Sequence, residues 1–148
     1  MMDRRSFLQA SAALALVGSS FQARAMRGAK VVVIGGGYGG ATAAKYIRML
    51  SDQQVDVTLV EPNKEFISCT LSNLVIGGSR KIAEISRPYA TLAKNHGITI
   101  AQDYATSIDT TARTVALASG NTLSYDKLVV SPGIDLNMTS IDGLADAY

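Results

Sequence analysis

The strongest constraint on the fold of this chain is a glycine-rich turn between two segments of opposite character. Lys30 to Ile34 is rich in β-branched residues, whereas Ala41 to Leu50 is rich in alanine and has apolar side chains at helical spacing. Gly35, Gly37 and Gly40 separate these segments with the spacing G-x-G-x-x-G. The sequence therefore predicts a strand, a tight turn and a helix in that order.

Each glycine of this motif has a physical role in binding a dinucleotide. Gly35 allows a sharp turn, Gly37 lets the backbone approach a pyrophosphate, and Gly40 lets the helix pack closely on the strand. The free N–H groups and the positive dipole at the helix N-terminus then stabilise the phosphate charge. Gly39 belongs to the same turn, and Tyr38, although expected mainly to pack, is close enough in sequence to touch the pyrophosphate.

An acidic residue stands where the motif requires one. Val55, Val57 and Leu59 alternate with polar residues and predict a second strand, which leads to Glu61 about 20 residues beyond the last glycine. A carboxylate at this place accepts hydrogen bonds from ribose hydroxyls and disfavours a 2′-phosphate, so an NADP site is not expected here. The alternative is that Glu61 is a surface residue at the end of a strand.

The rest of the pattern predicts an α/β fold with a Rossmann-like βαβ unit and a small antiparallel meander. A helix is expected between Pro88 and Gly97, a third parallel strand over Ile98 to Ile100, and a return to the sheet at Leu128 to Val130. The meander is expected in three short runs separated by turns: Thr106 to Asp109, Thr114 to Leu117, and Thr122 to Ser124. No closing element follows, which indicates a truncated domain.

The first 25 residues have the features of an export signal. A positive start is followed by the apolar stretch Phe7 to Val17 and by a small-x-small cleavage site at Ala23 to Ala25. Asp3 to Gln9 resembles the twin-arginine signal pattern, which implies export of a folded protein to the periplasm after cleavage at Ala25. The apolar stretch is shorter than the roughly 18 residues of a membrane span, so no stable membrane anchor is expected. An amphipathic N-terminal helix is the alternative.

Composition and charge exclude several other functions. Hydrophobic residues make up 47% of the chain and charged residues 18%, as in globular proteins. The chain has 14 basic and 12 acidic residues, of which three basic and one acidic lie in the first 25. The rest of the chain therefore has 11 basic and 11 acidic residues. This balance gives no basic face for nucleic acid, so no nucleic-acid partner is expected. No metal site is expected, because the chain has one histidine and one cysteine.

The segment that follows Glu61 carries the single cysteine and resembles a known family. The segments that carry the resemblance run from the first strand to the end of the predicted sheet: Lys30 to Ile34, Ala41 to Ile47, Glu61 to Asn73, Val75 to Gly78, and Tyr125 to Gly133. They resemble the flavoprotein subunit of flavocytochrome c sulfide dehydrogenase. The resemblance implies a flavoprotein of the type with two dinucleotide-binding domains. Residues 26–148 would form the N-terminal part of its FAD-binding domain, after a signal peptide at 1–25.

The resemblance also implies specific contacts with FAD. In this family the cysteine that matches Cys69 carries FAD covalently, and Ser131, Pro132 and Gly133 belong to the flavin site. Backbone near Ala105 is expected to meet the adenine. The alternative for Cys69 is a small buried hydrophobic residue, which is a frequent use of a free cysteine. An unpaired thiol in an oxidising compartment nevertheless requires an explanation, and the covalent bond supplies one.

The implied activity is oxidation of sulfide, with electrons passing through FAD to a c-type cytochrome subunit. The catalytic residues are unknown, because the family also uses a redox-active cysteine pair and this chain holds Cys69 alone. One alternative is a pyridine nucleotide-disulfide reductase or a sulfide:quinone reductase, which share the glycine turn. Another is an FAD-binding fragment without turnover.

The export signal predicts a specific response to mutation. Replacing Arg4 and Arg5 together by Lys should leave the precursor in the cytoplasm, because twin-arginine recognition depends on guanidinium geometry that lysine does not reproduce. Cell fractionation with an antibody against the protein measures this. A single Arg27→Lys change, beyond the expected cleavage site, is the control, and normal export of the Lys-Lys variant would contradict the assignment.

Overall fold

A parallel sheet forms the centre of the protein. The computed structural model describes residues 28–134, 137, 142–143 and 146, so the predicted signal peptide lies outside the described residues. The sheet has four strands: β1 (Lys30–Ile34), β2 (Asp56–Val60), β5 (Thr99–Ala101) and β9 (Lys127–Val130). Their order is β5-β2-β1-β9, and every neighbouring pair is parallel. The prediction of a Rossmann-like α/β fold is confirmed.

Two helices cover one face of this sheet. α1 (Tyr38–Leu50) and α4 (Tyr89–His96) pack over a cluster that includes Val33, Leu59 and Ala44. These three residues are fully buried. Because Ala44 has only a methyl group, α1 can lie close to the strands. α1 begins at Tyr38 rather than at Ala41, so the last part of the glycine motif forms the first turn of the helix.

An antiparallel meander covers the other face. It consists of β6 (Ala105–Asp109), β7 (Thr114–Leu117) and β8 (Thr122–Ser124), as predicted. Val115 and Leu117 of the meander pack with Val32 and Val60 of the sheet. Successive side chains of a strand point to opposite faces, so Val33 meets the helices while Val32 meets the meander.

The segment between β2 and α4 has more structure than the sequence predicts. β3 (Glu65–Ile67) pairs antiparallel with β4 (Ser86–Pro88), and the chain between them forms a 3-10 turn, Cys69–Leu71, and two short helices. The helices are α2 (Ser72–Ile76) and α3 (Ile82–Ile85). No helix within the described residues is long and apolar enough to cross a membrane.

Candidate functional site: the glycine turn and its surroundings

Two glycines of the motif are required by the packing of the protein itself. Gly35 has a φ of +93°, and a Cβ atom there would collide with the carbonyl oxygen of Ser131. A Cβ atom at Gly40 would collide with the carbonyl oxygen of Gly35. The amide of Gly35 also donates to the carbonyl oxygen of Val60 at 2.9 Å. These contacts bring the turn against the carboxyl ends of β2 and β9.

Gly37 is different, because nothing in the protein requires a glycine there. It is the N-cap of α1 with φ −64° and ψ −169°, a backbone conformation that other residues adopt without strain. A Cβ atom at Gly37 would have no neighbour within 4 Å. Gly37 lines a cavity of about 650 Å³ and a second of about 310 Å³. The missing side chain therefore leaves open space at the N-terminus of a helix, where a phosphate is stabilised.

Glu61 is buried beside this opening. Its residue is 8% exposed, so the surface alternative is wrong. One carboxylate oxygen, Oε2, accepts from the amide of Gly36 at 2.7 Å. The other, Oε1, accepts from the backbone amide and the side-chain amide of Asn63 at 3.0 and 2.8 Å. A carboxylate has about four acceptor positions, so Oε2 retains capacity for a hydroxyl donor such as a ribose.

Tyr89 is a residue of this site that the sequence did not reveal. Its hydroxyl donates to the carbonyl oxygen of Gly36 at 2.8 Å, across 53 residues of sequence. The side chain is 5% exposed and contributes to the lining of both cavities beside Gly37. Tyr89 is the first residue of α4. Its position in the sequence gives no sign that it contacts the glycine turn. Gly36 is not one of the three motif glycines, and only the structure shows that it belongs to the site.

Cys69 is exposed at the start of the 3-10 turn. The alternative of a buried hydrophobic cysteine is therefore wrong. Its neighbours Ser68 and Thr70 both hydrogen-bond to the hydroxyl of Tyr38, at 2.5 and 3.3 Å. The ring of Tyr38 also packs edge-on against Phe66, with the ring centroids 4.8 Å apart. Tyr38 thus joins the first turn of α1 to the segment that carries the thiol.

The remaining predicted site residues lie on the other side of the turn. Ser131 follows β9, and its amide donates to the carbonyl oxygen of Ile34 at 2.8 Å. A Cβ atom at Gly39 would lie 2.8 Å from the hydroxyl oxygen of Ser131. Pro132 and Ala105 line a cavity of about 300 Å³ together with Gly35 and Glu61. Gly133 has a φ of +79° and follows directly.

No group of three or more potential metal ligands occurs within the part of the chain that the structure describes. The buried polar side-chain atoms there all have hydrogen-bond partners. The polar groups around the turn are backbone amides, a carboxylate and a phenol. Backbone amides suit the anionic groups of a ligand, and a carboxylate suits its hydroxyls.

The phenol of Tyr89 predicts a pH dependence of stability. Burial raises the pKa of Tyr89 from 10.0 to about 12, and the charge of Glu61 adds to this rise. The unfolded chain loses this proton at lower pH than the folded chain, so the stabilisation is complete below pH 10 and is lost towards pH 12. The wild type should lose up to about 2 kcal/mol more than Tyr89→Phe across this range, discounted for screening. Urea unfolding at several pH values measures the difference, and parallel pH profiles would contradict it.

Sequence comparison finds relatives that act on sulfide. The flavoprotein chain of sulfide dehydrogenase (flavocytochrome c) from Chlorobaculum thiosulfatiphilum is 56% identical over 46 residues, which are 31% of this chain and 94% of that sequence. The sulfide-quinone reductase of Aquifex aeolicus (strain VF5) is 37% identical over 103 residues, which are 70% of this chain and 24% of the relative. The resemblance to the flavoprotein subunit of flavocytochrome c sulfide dehydrogenase is thus confirmed.

Solved structures share the fold. The crystal structure of the Aquifex aeolicus sulfide:quinone oxidoreductase matches with a TM-score of 0.70 at 35% identity, covering 78% of this chain and 26% of that one. The NAD-dependent persulfide reductase of A. fulgidus matches with a TM-score of 0.67 at 32% identity, covering 78% and 23%. The chain thus spans about a quarter of the length of these two proteins. A family model described as pyridine nucleotide-disulphide oxidoreductase matches residues 29–148, so the chain belongs to that family.

Proposed function

We propose that this chain is the FAD-binding N-terminal part of a flavin-dependent oxidoreductase that oxidises sulfide. The observation that carries the proposal is Gly37, a glycine that neither backbone conformation nor packing requires. Its missing side chain leaves open space at a helix N-terminus, beside the buried carboxylate of Glu61. A ligand that combines a pyrophosphate with a ribose explains both features.

The residues around the turn fit the adenosine diphosphate half of FAD. The first turn of α1 would hold the pyrophosphate through its free amides and its dipole. Glu61 would accept from the ribose hydroxyls, and the cavity lined by Tyr104 and Ala105 would take the adenine. Ser131, Pro132 and Gly133, which follow β9, would belong to the flavin side. FAD, when bound, supplies the chemistry of accepting an electron pair from a donor and passing electrons on singly.

The substrate and the acceptor are proposed from the relatives. The Chlorobaculum relative is the flavoprotein chain of a flavocytochrome c, which supports sulfide as substrate and a c-type cytochrome subunit as partner. The Aquifex relative is a sulfide-quinone reductase, which supports a quinone acceptor as the second candidate. The two candidates differ in the acceptor that reoxidises the protein after sulfide is added. Stopped-flow measurement on the full-length protein, with cytochrome c and with a soluble quinone, distinguishes them.

We further propose that Cys69 would hold FAD covalently through a thioether to a methyl carbon of the flavin ring. The C–S bond would replace the thiol S–H bond and one methyl C–H bond, and the electron pair released would pass through the flavin to its acceptor while both protons leave to solvent. The support is the exposed thiol, together with the hydroxyl contacts that tie Ser68 and Thr70 on either side of it to Tyr38. Tyr38 stands directly after Gly37, so the thiol segment is linked to the turn that would hold the pyrophosphate. After export to the periplasm by the twin-arginine route, a covalent bond would prevent loss of a cofactor that cannot be replaced there.

Replacing Gly37 tests the site. Gly37→Ala should fold normally, because its backbone angles suit alanine and the new methyl group meets no protein atom. The methyl group would occupy the space of the pyrophosphate, so the Kd for FAD should rise about tenfold or more. Flavin fluorescence titration measures Kd and circular dichroism measures folding. Both are done in a Cys69→Ser background, so that binding is reversible.

The matched control is Gly77→Ala, at a glycine with φ −73° whose Cβ atom would approach only the carbonyl oxygen of Asn73, at 3.2 Å. This variant should bind FAD as the parent does. If Gly37→Ala folded and bound FAD with unchanged Kd, the pyrophosphate would lie elsewhere and the proposed site would be wrong.

Acid denaturation tests the bond at Cys69. The wild-type protein should keep its flavin absorbance after acid precipitation and show the added mass of FAD on the peptide that contains Cys69. Cys69→Ser should bind FAD reversibly and release it in acid, because a hydroxyl is a far weaker nucleophile than a thiolate. Mass spectrometry of the digested protein reads both results. Free FAD and an unmodified Cys69 peptide from the full-length wild type would contradict covalent attachment while leaving FAD binding intact.

A further inference from the structure

The backbone of Gly36 is held at its N–H and at its carbonyl by two buried groups. The N–H donates to Glu61 Oε2 at 2.7 Å, and the carbonyl oxygen accepts from the Tyr89 hydroxyl at 2.8 Å. Both hydrogen bonds are buried. The three residues come from the glycine turn, the end of β2 and the start of α4, so the Gly36 backbone joins three separate elements.

We propose that Tyr89 is a positioning residue of the dinucleotide site, which holds the Gly36 backbone so that Glu61 stays oriented toward the ribose. This inference rests on the proposed binding of FAD at the glycine turn. Asn63 holds one carboxylate oxygen of Glu61, and the Gly36 amide holds the other. The Tyr89 hydroxyl holds the carbonyl of the same residue, in the next peptide unit, and so restricts how far the Gly36 backbone and its amide can turn.

The shape of the contact supports a matched pair of Gly36 and Tyr89. A Cβ atom at Gly36 would lie 2.5 Å from the Tyr89 hydroxyl oxygen and 2.6 Å from the ring carbon that bears it. Gly36 occupies a variable position of the G-x-G-x-x-G motif, so dinucleotide binding does not itself require glycine there. The phenol does require it, because any side chain would displace the ring from the Gly36 carbonyl.

The phenol is also suited to a constant donor role. Burial raises the pKa of Tyr89 to about 12, so its hydroxyl stays protonated at pH 10, where an ordinary tyrosine is half ionised. The ring packs in the core cluster with Val33 and Leu59, which fixes the position from which it donates. Tyr89 therefore transmits the rigidity of the core to the glycine turn.

The first test is Tyr89→Phe, which keeps the ring and removes the hydroxyl. Losing the donor leaves a buried carbonyl without its partner and frees the Gly36 backbone to turn, so the Kd for FAD should rise about tenfold. The measurement uses flavin fluorescence in the Cys69→Ser protein. ADP, used as a competitor, should lose affinity by the same factor, because the contact acts on the adenosine diphosphate half.

The matched control is Tyr125→Phe, which removes another hydroxyl that donates to a backbone carbonyl, that of Asp109, at 3.4 Å. Tyr125 packs against the cluster between the sheet and the meander and lines none of the cavities beside Gly37. Its loss can change the melting temperature but should leave the Kd for FAD within twofold of the parent.

A double-mutant cycle separates positioning from a general structural role. Glu61→Gln should weaken FAD binding, and adding Tyr89→Phe should weaken it by less than twofold more, because both changes act through the backbone of one residue, Gly36. A structural role would instead multiply the two effects. Gly36→Ala is a second route: it should weaken binding about tenfold with Tyr89 present and less than twofold in a Tyr89→Leu background, where the collision is gone.

The outcomes are distinguishable from failure of the proposed function. If Gly37→Ala weakens FAD binding but Tyr89→Phe does not, the dinucleotide site stands and the role of Tyr89 is wrong. Independent, multiplying effects in both cycles would also overturn it. If neither Gly37→Ala nor Glu61→Gln changes the Kd, the proposed site is wrong and the inference falls with it.

Discussion

The parallel pairing of β1 with a strand on each side is the constraint on which the site depends. β2 and β9 flank β1 in register, so the three strands end at the same edge of the sheet. Parallel strands in α/β proteins place ligand-binding loops at their carboxyl ends. Here that edge brings together the glycine turn, Glu61 and Ser131, which are far apart in sequence. The turn is locked there by the hydrogen bond from Gly35 to Val60.

Three successive glycines in this turn have three different physical causes. Gly35 needs a positive φ and close approach to the carbonyl oxygen of Ser131. Gly36 makes room for the phenol of Tyr89. Gly37 makes room for nothing in the protein, and the open space beside it is what a bound phosphate would use. A glycine that internal contacts explain is evidence about folding, whereas a glycine that they leave unexplained is evidence about a ligand.

The segment from β3 to β4 connects the glycine turn to the thiol. Its two strands, β3 and β4, pair with each other. Tyr38, the first residue of α1, contacts the segment through Phe66, Ser68 and Thr70. The burial of this segment is low compared with the sheet, and Ile76 and Ile82 are 87% and 56% exposed. Its form therefore depends on pairing and hydroxyl contacts more than on a core of its own.

The sequence by itself determined the elements whose signals are local. A β-branched run, an alanine-rich run and the glycine spacing defined the βαβ unit, and the turn-separated runs after residue 104 defined the meander, because period and punctuation are properties of neighbouring residues. Only the tertiary structure decided that Glu61 is buried, that Cys69 is exposed and that Tyr89 meets Gly36. It also decided where α1 begins, since Gly39 and Gly40 are poor helix formers that packing against Ser131 and Gly35 holds in the first turn. The contacts of Gly36 with Glu61 and Tyr89 join residues that are 25 and 53 positions apart. Their energies come from tertiary packing, which no local sequence pattern encodes.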